Sequence, residues 1–97
     1  MTEPNFEAMG RHQHALTQVR SLTDQRLAII REIKRWAERC ETWARDYSEF
    51  CDIETVSGLD KIDKLTDLNS KLADAVTECN LWAEQARAQR IRIRQIG

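Results

Sequence analysis

The stretch that decides the fold runs from Leu16 to Cys51 and reads LTQVRSLTDQRLAIIREIKRWAERCETWARDYSEFC. Apolar residues fall in it on three adjacent heptad columns, of which the third is unbroken. The columns are Leu16, Ile30, Ala37, Ala44 and Cys51, then Val19, Ile33, Cys40 and Tyr47, then Leu22, Ile29, Trp36, Trp43 and Phe50. Because a seven-residue spacing keeps side chains on one helical face, the stretch predicts a long amphipathic helix. Its apolar stripe is wider than a two-stranded seam requires.

A second stretch repeats the pattern nearer the end of the chain. Its central column is Leu65, Leu72, Cys79, Ala86 and Ile93, flanked by Ile62, Val76 and Ala83 on one side and by Leu68, Ala75 and Trp82 on the other. Asn69 interrupts the first flank, between Ile62 and Val76. A lone Asn at such a position either fixes register or oligomeric state, or marks a wet edge. The stretch predicts a second long helix.

Two breaks divide the chain. Gly58 suits a helix end or tight turn between the two stretches, and Ser57 or Asp60 can cap the helix that follows. Earlier, Thr23 has the properties of an N-cap, which predicts a kink or turn at 21–22. We therefore expect an all-α, single domain over residues 1–97: a short N-terminal helix at about 5–20, then a long antiparallel helical hairpin of helices at about 23–52 and 59–94.

Composition supports helices and limits the function. The 97 residues include three Gly and one Pro, too few for a turn-rich fold, and the net charge of −1 gives no general attraction to nucleic acid. No apolar run has membrane-spanning length, and residues 1–4 lack the features of a signal peptide. The three cysteines have no metal-ligand spacing, so we expect reduced thiols in the cytoplasm; a Cys40–Cys79 bridge is the alternative.

The width of the apolar stripe favours self-association. Two helices bury only their facing columns, so several large side chains need further cover. We expect a homo-oligomeric helical bundle, with the N-terminal helix completing a monomeric three-helix bundle as the alternative. The expected interface residues are Leu22, Ile29, Trp36, Trp43, Phe50 and Trp82.

Catalytic chemistry is not indicated. The sequence has no phosphate-binding loop, no nucleophile setting and no metal-ligand pattern, and His12 and His14 lie two apart, on different helix faces. We therefore expect no catalytic residue, no metal, no cofactor and no enzyme. Two cationic features are candidates for binding: the set Arg20, Arg31, Lys34 and Arg35, and the run from Arg90 to Ile96, which reads as a cationic helix end, a short strand or a docking arm.

The segment 14–34 resembles a known family. It contains Leu16, Arg20, Leu22-Thr23 and Ile33-Lys34 at the spacing found in the hairpin domain of phage anti-CBASS and anti-Thoeris proteins, which sequester cyclic nucleotide signals. Val19 stands where that family has a base-stacking aromatic residue. The resemblance implies a hexamer with pockets between neighbouring N-terminal halves, and Lys34 on the phosphates of a cyclic di- or trinucleotide.

Three functions follow as hypotheses. The first is an anti-defence sponge, in the host cytoplasm if the chain is phage-encoded. The second is a protein-interaction hairpin, a phage inhibitor or adaptor, whose acidic second helix docks on a basic partner surface. The third is a structural assembly component. None involves a membrane or direct nucleic-acid binding.

Overall fold

The computed structural model describes residues 5–96, which form two helices and no strand. Helix α1 runs Phe6–Ala44 and helix α2 runs Val56–Ala83, so the predicted all-α helical hairpin is confirmed. Neither helix in this range is long and apolar enough to cross a membrane. The expectation about residues 1–4 lies outside the described residues.

Helix α1 is continuous, so the predicted break at 21–22 is wrong. Thr23 is not an N-cap: its hydroxyl donates to the carbonyl of Val19 at 2.7 Å, one turn back within the helix. A threonine bonded in this way is compatible with a helix interior. The true N-cap is Asn5, whose side-chain oxygen accepts from the backbone N–H of Ala8 at 3.0 Å.

The predicted loop boundaries are also wrong. Helix α1 ends at Ala44 rather than at 52, because Asp46 accepts bonds from the backbone N–H and hydroxyl of Ser48 and so stabilises a turn. Helix α2 begins at Val56 rather than at 59. Glu54 caps it, with carboxylate oxygens 2.8 and 2.7 Å from Ser57 N and Oγ.

Helix α2 ends at Ala83, not at 94, in a Schellman turn. The N–H of Ala88 donates to the carbonyl of Ala83 at 2.8 Å, and the N–H of Arg87 donates to that of Glu84 at 3.1 Å. Arg87 has φ 56°, in the left-handed region that such a turn requires at this position. Residues 88–96 leave the helix without forming a strand.

The helices pair along a heptad seam. On α1 the seam consists of two sets of heptad positions, and all of these residues are buried or half-buried. The a positions are His12, Val19, Arg26, Ile33 and Cys40, and the d positions are Ala8, Ala15, Leu22, Ile29 and Trp36. Two of the predicted columns therefore face α2, and the column containing Ile30 does not. On α2 the a positions are Gly58, Leu65, Leu72 and Cys79, and the d positions are Lys61, Leu68, Ala75 and Trp82.

The chain divides into two compact units. Unit 1 joins residues up to Thr23 with residues from Ser70 onward, and unit 2 is the continuous segment Asp24–Asn69. The core of unit 1 consists mainly of small side chains, among them Ala8, Ala15, Cys79 and Ala83, each at most 1% exposed. Such a thin core buries little apolar area per residue.

Unit 2 fixes the pairing of its helical segments through two contacts. The Trp36 ring packs on Gly58, and Arg26 Nη1 donates to Asn69 Oδ1 at 3.2 Å. As the residue number rises along α1 it falls along α2, which is antiparallel pairing. Gly58 thus lies in the first turn of α2 under an indole ring, and not in the predicted break.

Candidate functional site

The predicted cationic site is a set of exposed side chains on one helix. Arg20, Arg31, Lys34 and Arg35 are all exposed on α1. Arg20 belongs to unit 1, whereas the other three belong to unit 2. The spacing of three and four places Lys34 next to Ile30 and Arg31 on the helix surface.

Unit 2 leaves one side of its helix pair apolar. Heptad positions e and b form this side. Each e position follows a d position by one residue, and each b position lies three residues before an e position. We call Leu27 and Ile30 of α1 with Leu59 and Ile62 of α2 the apolar side surface; they are 43, 43, 58 and 45% exposed. Two antiparallel helices are exchanged by a two-fold axis perpendicular to the plane that contains both of them. This rotation moves no residue from one side of that plane to the other, so the e residues of both helices lie on one side.

The opposite side of unit 2 is polar. Its g positions are occupied by Gln25, Glu32 and Arg39 on α1 and by Ser57 and Lys64 on α2. The two sides of one helix pair therefore differ in chemistry, although both lie beside the same seam. An apolar strip confined to one side is typical of an interaction surface rather than of scattered exposure.

The predicted interface residues fall into different environments. Leu22, Ile29 and Trp36 are half-buried at d positions of the seam, whereas Trp43 is 45% and Phe50 89% exposed. Their role in self-association stays a prediction. The interface hypothesis did not include the apolar side surface (Leu27, Ile30, Leu59 and Ile62), although the Ile30 column was visible in the sequence.

Trp82 is held in unit 1 by polar partners. Its ring lies 5.0 Å from the Arg11 guanidinium carbon, and its Nε1 donates to Glu78 Oε1 at 2.9 Å. Arg11 also pairs with Glu7 at 3.1 Å. Cation–π geometry of this kind contributes about 0.5–1 kcal/mol at an exposed site. The indole is thus used within the unit and remains half-buried.

The C-terminal segment is hydrogen-bonded to α2 through the Asn80 side chain, in a contact that we call the Asn80–Ile91 clip. Asn80, only 8% exposed, donates from Nδ2 to the Ile91 carbonyl at 3.0 Å and accepts from the Ile91 N–H at 2.7 Å. The amide replaces the backbone partner that Ile91 would find in a strand ladder. Nothing in the residue spacing pointed to this pair.

The clip leaves an open recess between segment and helix. Its volume is about 600 Å³, and its lining is Asn80, Gln89, Arg90, Ile91, Arg92 and Ile93. Arg90 and Arg92 are both exposed there. None of the four predicted ligand-binding cations lines this recess.

The histidines and cysteines occupy distinct environments. His12 Nε2 is buried without a hydrogen-bond partner in the described chain, whereas His14 Nε2 lies 3.3 Å from Gln18 Nε2. All three cysteines are free thiols; Cys40 and Cys51 are half-buried, and burial raises the pKa of the Cys79 thiol. Over residues 5–96 no three His, Cys, Asp or Glu side chains are grouped to hold a metal ion.

Comparison with protein-family models, curated proteins and solved structures finds no match to this chain.

Proposed function

We propose that this protein is a non-enzymatic binding protein that works as a homo-oligomer and holds a phosphate-bearing small molecule at a subunit interface. The observation that supports this most is the apolar side surface of unit 2, with three exposed cations, Arg31, Lys34 and Arg35, on the same helix segment. Binding without turnover rests on the sequence, which contains no nucleophile setting or phosphate loop.

The thin core supports self-association. In unit 1 only small side chains are fully buried, and in unit 2 the four side chains of the apolar side surface stay 43–58% exposed. Covering a leucine or isoleucine contributes about 1.5–3 kcal/mol when burial is complete. A second subunit on the apolar side surface would therefore add a substantial part of the stability that the hairpin alone lacks.

The ligand class follows from charge and position. Lys34 lies at the edge of the apolar side surface, and Arg31 is its neighbour one turn back. Cations beside an apolar interface suit a ligand that combines phosphates with flat apolar rings. A cyclic di- or trinucleotide has this composition, which is the ligand the family resemblance implies, together with a hexamer in the cytoplasm.

The alternative function is a protein-interaction hairpin. It is favoured by exposed carboxylates on α2, among them Asp60, Asp63 and Asp74, which would face a basic partner surface. Asp60 already pairs with Lys64 at 3.3 Å, so its charge is partly compensated. The ligand-binding function requires cations on α1, whereas the alternative requires carboxylates on α2. Charge variants can therefore distinguish the two functions.

The test is native mass spectrometry of the protein with a panel of cyclic di- and trinucleotides. We expect an oligomer that gains ligand mass in whole-number steps. The variant Lys34→Gln should lose the added mass, and the matched variant Asp63→Asn should keep it. An oligomer that ignores every nucleotide contradicts the ligand proposal. Capture of a basic protein that depends on Asp63 and not on Lys34 supports the alternative.

A further inference from the structure

The apolar side surface is bordered by charged residues on both helices. It lies within unit 2 and comprises two residues from each helix, Leu27 and Ile30 with Leu59 and Ile62. The residue that follows Ile30 is Arg31, and the residue that follows Ile62 is Asp63; both are exposed. Level with the four apolar residues, one edge of the surface therefore carries a cation and the other an anion; Asp24 and Glu38 lie one heptad before and after Arg31 on the same edge of α1.

These two charged residues lie level with each other along the helix pair. Trp36 is opposite Gly58, and Arg26 is opposite Asn69. Arg31 stands midway between Arg26 and Trp36, and Asp63 stands close to midway between Gly58 and Asn69. The two side chains nevertheless lie on the outer edges of their own helices, on opposite sides of the apolar strip, so they are too far apart to pair within one chain.

We propose that a second copy of this chain covers the apolar side surface, with α1 of each copy lying on α2 of the other. A two-fold axis parallel to the helices generates this pair. Because such an axis preserves height along the helices, Arg31 of one copy comes beside Asp63 of the second, twice in the assembly. Every adjacent helix pair is then antiparallel, as in an up-down four-helix bundle.

Charge selects this arrangement over the other symmetric one. A two-fold axis perpendicular to the helices places α1 on α1, which brings Arg31 beside Arg31 and Asp63 beside Asp63 of the second copy. Like charges at the edge of an interface oppose association, whereas opposite charges favour it and fix register. The apolar residues serve both arrangements equally, so the edge charges decide between them.

This pairing rests on the proposed function only in assuming that the protein self-associates; it does not require a ligand. It specifies the building unit, which is the same whether the final assembly is one pair or several. It also places Lys34 at the edge of the interface between the two copies, beside the apolar residues of both.

The test is a charge-reversal cycle on the whole chain, read by sedimentation equilibrium at low and high salt. Arg31→Glu should raise the dissociation constant of the pair about tenfold or more at low salt, because two attractive contacts become repulsive. Asp63→Arg should do the same. The double variant should return to within about threefold of the original value. Arg39→Glu, on the polar side of the same helix, is the matched control and should change nothing.

Several outcomes overturn the pairing. A monomeric protein does so, and so does an Arg31→Glu variant that associates as well as the Arg39→Glu control, which is the result expected if α1 lies on α1. A double variant weaker than either single variant also contradicts it. Ile30→Glu should abolish association while circular dichroism stays helical, and Leu81→Glu, at another exposed leucine of the chain, should not.

The result is separable from that of the nucleotide experiment. If the single variants weaken association, the double variant restores it and the protein gains no nucleotide mass, the pairing is supported and the ligand proposal is contradicted. Nucleotide uptake by a protein whose charge cycle fails contradicts the pairing and keeps the ligand proposal.

Discussion

The Trp36 indole lies on the backbone of Gly58, so closely that a Cβ added there would be 2.6 Å from Cζ2 of the ring. Gly58 is therefore in α2 because no larger residue fits beneath the ring, and not because the chain must turn there. The same contact sets the height at which the two helices of unit 2 meet.

Replacing Gly58 by alanine should destabilise the protein, although alanine is the better helix former. The added methyl group must displace the ring, and overpacking of this kind costs about 1–3 kcal/mol. The matched control is Gly10→Ala in α1, where an added Cβ meets nothing within 4 Å. That change should stabilise by about 0.5–1 kcal/mol. Urea unfolding of both variants measures the contrast, and a stabilising Gly58→Ala would show that the ring does not rest there.

Replacing Arg87 by glycine should stabilise the end of α2. Arg87 holds φ 56° in the Schellman turn, a conformation that strains a residue with a Cβ. Relief of that strain, less the larger chain entropy of glycine, should raise the free energy of unfolding by about 0.5–1 kcal/mol. Arg87→Val should lower it, because β-branched residues tolerate this region least. Thermal unfolding measures both changes, and equal effects of the two variants would contradict the turn.

Replacing His12 by leucine should stabilise the seam of unit 1. His12 Nε2 is buried without a hydrogen-bond partner in the described chain, which carries an uncompensated desolvation penalty. Leucine at this a position should raise the free energy of unfolding by about 1–2 kcal/mol. His14→Leu is the control: His14 is exposed, and the change should stay within about 0.5 kcal/mol. A destabilising His12→Leu would indicate that the ring has a partner in solution.

The cap of α2 should respond to acid. Hydrogen bonds from the Ser57 hydroxyl and then from its backbone N–H lower the pKa of Glu54 from 4.5. A carboxyl group whose pKa is lower in the folded state stabilises above its unfolded pKa, and this stabilisation is lost as the pH falls through the folded value. The loss therefore begins as the pH approaches 4.5 from above. Glu54→Gln should flatten this part of the stability profile, and a variant that loses stability in acid as the original protein does would contradict the cap.

The heptad columns were sufficient to predict the class of fold, because seven-residue periodicity reflects the seam directly. The columns could not say which two of three would face α2. That choice is made by Ala8 and Ala15, which extend the Leu22 column toward the N-terminus and allow close packing in unit 1. Side-chain size, as well as apolarity, selected the seam.

Helix ends were harder to predict because polar side chains decide them. Thr23 is equally suited to capping a helix and to bonding back within one, and here it bonds back to Val19. Glu54 caps α2 from outside the helix, a role that sequence reasoning assigned to Ser57 or Asp60. At the other end, the repeat in Ala86 and Ile93 suggested continued helix, but Arg87 ends it.

The candidate site was predicted only in part. The cations Arg31, Lys34 and Arg35 are exposed as a binding role requires, but their position beside the apolar side surface depended on the seam register. The Asn80 clip could not be predicted at all. It joins a helix side chain to the backbone of Ile91, eleven positions later, and a single contact of this kind produces no repeating pattern in the sequence.

The division into units has a consequence for how the chain folds. Unit 2 is one continuous segment around the loop, whereas unit 1 joins residues from both ends of the described chain. Closing a short loop has a smaller entropic cost than closing a long one, so contacts near the loop form first. Trp36 should therefore contact Gly58 early in refolding, and pairing of the two helices should then extend away from the loop. The Arg11–Trp82 contact, which joins the two ends of the described chain in unit 1, is then among the last to form and the first to open.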